Sequence, residues 1–398
     1  MTSDRPALEG GAPVRDEMLA FGRAELGPEE EQAVVEVLRS GWLATGPRTA
    51  RFERAFAAMV GTDHAVATNS WTAGMHLLLR AHGVGPGDEV VIPAITFPAT
   101  FNAVLHAGAR PVLADVVPGR LTVDPRAVEA AITSRTRAIV PVHLYGWPCD
   151  MDGVLAVAEP RGLAVLEDAA HGIGTTLHGR PAGSLAHGAC FSLYVTKNVT
   201  SVEGGMVTTD RGDLVERMRT ERLHGIDVDA SRRDGASYAH WESVSIGWKY
   251  NLSDLASAIG LAQLEKLPRF LERRRALDAR YREGLRGSPA FEAVTGPPGA
   301  GNGAHLFPVT MRPGALRIDR DTVLRALLAE KVGVGVHFRA LPLHRHVQET
   351  LGATRASAPV ACEASERLLS LPLHTLMSER DADDVLAALA RIARFYAA

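Results

Sequence analysis

The 398-residue sequence predicts an α/β fold: a large, doubly wound, mainly parallel sheet domain followed by a smaller C-terminal α/β domain. Two observations predict it. Between residues 64 and 210, short β-rich runs alternate with helical stretches, and most runs are continuously apolar, as strands covered on both faces require. After about residue 252 that texture gives way to one long helical region, a Gly/Pro-rich connector and a second set of elements. The expected division is residues 1–251, an N-terminal segment with the large domain, and 252–398, the long helix with the small domain.

The strand candidates, in order, are HAVATN (64–69), EVVIPA (89–94), RPVLADV (110–116), AIVPVHLY (138–145), LAVLEDA (163–169), ACFSLYV (189–195) and GMVTTD (205–210). Helical patterns lie between them at 72–83, 99–108 and 150–162. The uncharged stretch from Val90 to Ala109 has about membrane-spanning length, but Pro93 and Pro98 interrupt it and Thr96, Thr100, Asn102 and His106 are polar. A buried strand, a turn and a buried helix account for it. The region from 252 reads as one helix, broken at Pro268. A helix after Asp319, a strand at VGVGVHF (332–338) and helices near 359–369 and 381–397 complete the chain.

Composition narrows the function. The net charge of −3 gives no reason to expect nucleic acid or a membrane as partner. Three cysteines form no CxxC pair and fit a cytoplasmic protein, and the charged N-terminus MTSDRPALEGG is no signal peptide. Only four of the 43 basic residues are lysines: Lys197, Lys249, Lys266 and Lys331. Chemistry that needs an amine has four candidates. Lys266 and Lys331 sit among Glu and Arg in amphipathic segments and read as solvated helix faces. Lys249, in the polar-aromatic loop IGWKYNLSD, is ambiguous. Lys197 follows a buried strand and precedes the paired glycines of VEGGMV. Partial desolvation there lowers an amine's pKa and makes it nucleophilic, as a Schiff base requires.

A lysine Schiff base with pyridoxal 5′-phosphate (PLP) needs supporting groups, and each has a candidate. Asp168, at the end of a strand, can hold the pyridine nitrogen protonated. Ser70–Trp71–Thr72–Ala73 opens a predicted helix whose N–H groups and Thr72 hydroxyl can meet the phosphate. Phe97 can stack on the ring. Singly, each also fits a structural role, since an Asp after a strand caps helices and a Phe packs cores. A Rossmann nucleotide site is disfavoured, because HGIG (171–174) is not GxGxxG. No metal site is expected either, because His344 and His346 in LPLHRHVQ have no acidic ligand nearby.

Nearly end to end, the chain resembles the DegT/StrS family of PLP-dependent nucleotide-sugar aminotransferases. The stretches SGWLATGP (40–47), GVGPGDEVVIPAITFPATFNAVLHAGARPVLADV (83–116), LEDAAHGIGTTLHGRPAGS (166–184), FSLYVTKNVTSVEGGMVTT (191–209) and YNLSDLASAIGLAQLEKL (250–267) carry the resemblance. It implies the type I, aspartate-aminotransferase-like fold of PLP enzymes and a homodimer with shared active sites. It makes Lys197 the Schiff-base lysine, Asp168 the partner of the pyridine nitrogen, His171 a neighbour of the cofactor's phenolic oxygen and Phe97 the stacking aromatic. Thr72, Ala73 and Ser192 match phosphate-binding groups. Many members read GYNYRM where this chain reads GWKYNL, which puts Lys249 in place of an Asn that reaches the neighbouring subunit's phosphate. SWTAGM departs from the common SGTAAL, so Trp71 adds bulk. Relatives with His at the position of Lys197 are dehydratases, which disfavours that chemistry.

KYNL and VGVHFRALPLH (334–344) look most like the branch that makes UDP-4-amino-4-deoxy-arabinose. The implied reaction converts PLP to pyridoxamine 5′-phosphate with glutamate. It then passes the amine to C4 of a TDP- or UDP-linked 4-keto sugar, a pentose before a hexose, in amino-sugar and natural-product (antibiotic) biosynthesis. His305, His337 and Arg339 are the substrate-side candidates. A C3 aminotransferase, an amino-shikimate-type synthase and a non-catalytic PLP-binding regulator are the alternatives.

Overall fold

The computed structural model describes residues 5–227 and 240–398. The large domain contains β1 (His64–Thr68), β2 (Glu89–Pro93), β3 (Arg110–Ala114), β4 (Thr136–Ile139), β5 (Ala164–Asp168), the two-residue β6 (Thr176–Leu177) and β7 (Arg180–Pro181), β8 (Gly188–Ser192) and β9 (Gly205–Thr209). Seven of these form one sheet in the order β1-β9-β8-β5-β4-β2-β3. From β3 to β8 every pairing is parallel, and β9 alone runs antiparallel to both its neighbours. All residues of β2, β8 and β9 are buried, including the polar Glu89, Ser192, Thr208 and Thr209 at their ends, as strands covered on both faces require. Val90–Ala109 resolves into β2, a turn and the helix Pro98–His106. AIVPVHLY is strand only to Ile139, and Tyr145 beyond it adopts a left-handed conformation (φ 66°).

Several helices open on proline, at Pro28, Pro47, Pro98 and Pro125, where the missing N–H has no intrahelical partner to lose. The long helix Asp254–Gly284 is continuous, and Pro268 lies inside it rather than breaking it. Its flanks pack against the helices Pro28–Ser40, Pro47–Val60 and Glu379–Phe395. Pro268 is on the exposed side, so the carbonyl it leaves unbonded can face water. At its start, Asp254 accepts from the Gly46, Arg48 and Thr49 amides at 2.8, 3.0 and 2.9 Å, which caps the neighbouring helix Pro47–Val60. Lys266 is no solvated face: its amine lies 2.7 Å from both Glu29 and Glu30 and pins the long helix to Pro28–Ser40. Lys331 is exposed.

The second sheet is antiparallel and holds β10 (Phe291–Ala293), β12 (Phe307–Met311) and β13 (Leu368–Leu371) in the order β10-β12-β13. The two-residue β11 (Ala300–Gly301) lies in the Gly/Pro-rich connector and pairs with β6. Residues 332–338 are not a strand. They make only isolated bridges, Leu19 to Val332 and Gly335 to Ser370, because a strap of N-terminal chain lies against them. Leu19 donates to the Lys331 carbonyl and accepts from the Gly333 amide, both at 2.9 Å. The helix expected over 359–369 ends at Arg367, and the following residues become β13. Among the described residues no helix is long and apolar enough to cross a membrane.

Candidate active site

A cavity of about 400 Å³ opens where the strand ends carrying Asp168 and Lys197 meet the second sheet's loops. Asp168, Lys197, His171, Thr72, Phe97 and Ser192 all line it. Its position beyond the carboxyl ends of β5 and β8 is the usual one for an open parallel sheet. In β8 the first polar side chain, Ser192, emerges at the cavity; in β5 Glu167 turns away to His143, and Asp168, the next residue, enters it.

Asp168 is buried, and its carboxylate accepts from the Thr100 hydroxyl at 2.8 Å and the Ala170 amide at 3.1 Å. Burial pushes its pKa up from 3.8 to about 6, and the hydrogen bonds and nearby Lys197 hold it from rising further. Lys197 stands in the hairpin loop between β8 and β9. Desolvation lowers its pKa from 10.5 to about 8, against the opposing pull of Asp168. The loop is tied shut by Leu193, whose amide donates to the Gly204 carbonyl and whose carbonyl accepts from the Ser201 amide, both at 2.9 Å. Within it Val202 adopts φ 71°, a conformation that a β-branched residue rarely takes.

Three imidazoles share the cavity with Lys197, and burial, foremost, lowers the pKa of each, His337 to about 4. The His171 and His305 rings lie 4.4 Å apart. His171 Nδ1 accepts from the Tyr145 amide at 3.2 Å, so the proton of the neutral ring sits on Nε2. The Asn198 amide group donates to the Ile173 and Gly303 carbonyls at 3.0 and 2.7 Å, which turns its oxygen toward His305 Nδ1 at 3.3 Å. His305 therefore carries its proton on Nδ1. His337 Nδ1 pairs with the Ser370 hydroxyl at 3.0 Å.

The helix Trp71–Ala81 starts at the cavity wall. Ser70 caps it by accepting from the Ala73 amide at 3.1 Å, so of the first amides only those of Trp71 and Thr72 lack an acceptor among the described residues. Glycine at 205 permits this arrangement, since a Cβ there would lie 2.4 Å from the Ser70 carbonyl oxygen. The Trp71 indole is buried and donates to the Cys190 carbonyl at 2.9 Å, so most of its bulk goes into the core. Ser192 is buried near the Tyr194 amide, at 3.4 Å.

Three candidates are not brought into this cavity. Ala73 is buried, and its amide is given to the Ser70 hydroxyl. Lys249 is exposed and donates to Asn251 Oδ1 at 2.6 Å. Arg339 is exposed just past the lining residue Phe338. Residues that sequence reasoning did not single out are present instead. Thr100 bridges Asp168 and the Thr96 hydroxyl, 2.7 Å away; its signal was a polar pair spaced i, i+4 in an otherwise apolar stretch. Phe338 stacks near His171 and Phe97, with centroids 5.8 and 5.5 Å away, and Phe21 arrives from the N-terminal strap.

The residues fit PLP: an amine of lowered pKa, a buried carboxylate, unfilled helix-start amides and aromatic rings line one cavity.

Comparison with known proteins agrees. The family model of the DegT/DnrJ/EryC1/StrS aminotransferases matches residues 24–390. The chain is 41% identical over 382 residues to the spore coat polysaccharide biosynthesis protein SpsC of Bacillus subtilis, covering 96% of this chain and 98% of SpsC. Among solved structures it is similar to the PMP form of Spr1654, ascribed to the sugar aminotransferases, from Streptococcus pneumoniae. That match has a TM-score of 0.90 and 30% identity, over 95% of this chain and 99% of the other. A structure of DesI in the presence of its TDP-sugar product matches with a TM-score of 0.87 and 33% identity, over 98% of this chain and 97% of the other.

Proposed function

We propose, for a chain that belongs to the DegT/DnrJ/EryC1/StrS aminotransferase family, that it moves an amino group from glutamate to C4 of a TDP- or UDP-linked 4-keto sugar, a pentose first. The single observation that carries the reading is the joint placement of Lys197 and buried Asp168 in one cavity. The enzyme is an aminotransferase with the type I fold of PLP enzymes, and its cofactor is PLP, alternating with pyridoxamine 5′-phosphate. When bound, PLP supplies an electron sink for the carbon that loses its proton.

The side chains divide the remaining work. Asp168 holds a proton at the cofactor's ring nitrogen through its carboxylate, which Thr100 and the Ala170 amide orient. Lys197 anchors the cofactor. When released, its amine would be the base that takes the proton from the donor's Cα and the acid that returns one to the acceptor carbon. Its pKa of about 8 leaves a useful share of the neutral base near physiological pH. His171, with its proton on Nε2, can donate to the phenolic oxygen. Phe97 covers the ring. Thr72, the helix-start amides near Ala73, and Ser192 take the phosphate.

The exposed Lys249 supports a homodimer in which each copy lends this amine to the other's phosphate. We divide the chain into residues 1–251 and 252–398, and assign it to the cytoplasm. His305, His337 and Arg339 serve the nucleotide sugar, Arg339 as a cation for the diphosphate. TDP-sugar binding by DesI, which shares this fold, supports that substrate class.

The test is a panel of TDP- and UDP-linked 3-keto and 4-keto sugars offered to the pyridoxamine form. Amine transfer to the 4-keto members supports the reading, and transfer only to 3-keto members replaces it with C3 chemistry. Protein that binds PLP but transfers to none of them is the regulatory alternative.

A further inference from the structure

We propose that Phe21, delivered by the N-terminal strap, is a specificity-determining residue of the acceptor half of the site; the proposal rests on the nucleotide-sugar reading above. Residues 19–22 lie between the two halves of the molecule. Leu19 is bonded to the 331–333 segment, and the Ala20 carbonyl accepts from His374 Nε2 at 3.2 Å. Gly22 faces Thr196, immediately before Lys197, with a built Cβ 3.6 Å from its methyl. Glycines make the approach possible. A Cβ on Gly333 would lie 2.6 Å from the Leu19 oxygen and 2.7 Å from the Phe21 nitrogen, and one on Gly335 would lie 2.9 Å from the His337 ring.

The ring so placed lies nearly parallel to His337, with centroids 5.1 Å apart and an interplanar angle of 12°. Both rings line the cavity, and Phe338 continues the aromatic wall. The groups proposed for the cofactor, Asp168, Lys197, Thr72 and Ser192, belong to the large sheet, its β8–β9 loop and the helix Trp71–Ala81. Among the residues left for the acceptor sugar, Phe21, His337 and Phe338 form an aromatic wall beside the polar Tyr194, Glu203 and His305. Phe21 has no polar atom to offer, and His337 can offer only Nε2, because its Nδ1 is paired with Ser370. A C–H-rich sugar edge packs against such a wall. A hydroxymethyl group set against the Phe21 face would lose water without gaining a partner, a penalty of about ten- to a hundredfold in affinity.

The experiment uses the pyridoxamine form of the full chain and measures Kd for TDP-xylose, which lacks C6, and TDP-glucose, which carries a C6 hydroxyl. Wild type binds TDP-xylose at least about tenfold more tightly. Phe21→Ser brings the two within about threefold, because a hydroxyl replaces apolar surface, whereas Phe21→Leu keeps the preference. All three proteins show the same yellow absorbance per chain with PLP bound and the same melting temperature, which shows that fold and cofactor site are intact. A wild-type preference that survives Phe21→Ser overturns the role of Phe21 alone. Equal binding of the two sugars by wild type overturns it too. Binding of neither sugar, nor of their UDP counterparts, overturns the nucleotide-sugar reading with it.

Discussion

Replacing Asp168 by Asn should stabilise the protein without cofactor while disabling the enzyme. The buried carboxylate has its pKa raised from 3.8 to about 6. The folded state therefore binds the proton more tightly than the unfolded chain. Between these pH values stability falls as pH rises, and above about 6 the whole penalty of holding the charge is present. At about 1.4 kcal/mol per pH unit, that penalty is at most about 3 kcal/mol. Asparagine removes it but gives an N–H₂ group where the Thr100 hydroxyl now donates, a mismatch that costs about 1 kcal/mol. The net gain is about 2 kcal/mol at pH 8. At pH 4, where wild-type Asp168 is already protonated, the variant gains nothing and is slightly less stable. Urea denaturation of the two apoproteins at pH 4 and pH 8 measures this directly. Equal stability differences at both pH values would refute the reasoning, because they would show that Asp168 carries no burial penalty.

Three other outcomes follow from the geometry. Uptake of PLP by apoprotein needs the neutral Lys197 amine. With a pKa of about 8 its rate should climb roughly tenfold from pH 7 to pH 9 and then level off, as followed by the growth of yellow absorbance; a rise still accelerating at pH 9 contradicts the lowered pKa. Val202→Gly relieves a β-branched residue at φ 71° and should raise the stability of the folded enzyme by about 1 kcal/mol with turnover unchanged; a lower melting temperature would count against it. Lys266→Ala removes the cation shared by Glu29 and the buried Glu30 and should cost about 1–3 kcal/mol in denaturant unfolding, with an unchanged donor half-reaction; a neutral effect would show the pair to be inert.

The large sheet was legible because its strands are long apolar runs, and the residues that end two of them, Asp168 and the loop with Lys197, are where the cavity forms. The second sheet was not. Pro308 sits inside its central strand β12, and β13 is four residues that continue a helical pattern without a turn signal. Pro268 misled because local propensity predicts a break that packing on both sides of the long helix overrides. The site's support was illegible for a different reason. The Tyr145 amide meets His171, 26 residues away, and Asn198 meets His305, 107 residues away. Phe21 reaches His337 across still more of the chain. No local pattern encodes such meetings. Lys266 was misread because its two glutamate partners sit on another helix.

The inverted strand β9 has a consequence for how this enzyme can breathe. Because β9 runs back beside β8, the loop bearing Lys197 is a hairpin closed by rungs at its own base, between Leu193 and Gly204. The lysine's address is thus written locally, within a dozen residues. The facing wall of His337 and Phe338 depends on contacts with β13 and the strap. A rocking of the second sheet would widen or narrow the gap between these walls, and it would reach the lysine's loop through Asn198, which is bonded to Gly303 and His305. Traffic of large sugar nucleotides and retention of a tethered cofactor are then linked through Asn198, the residue next to the lysine.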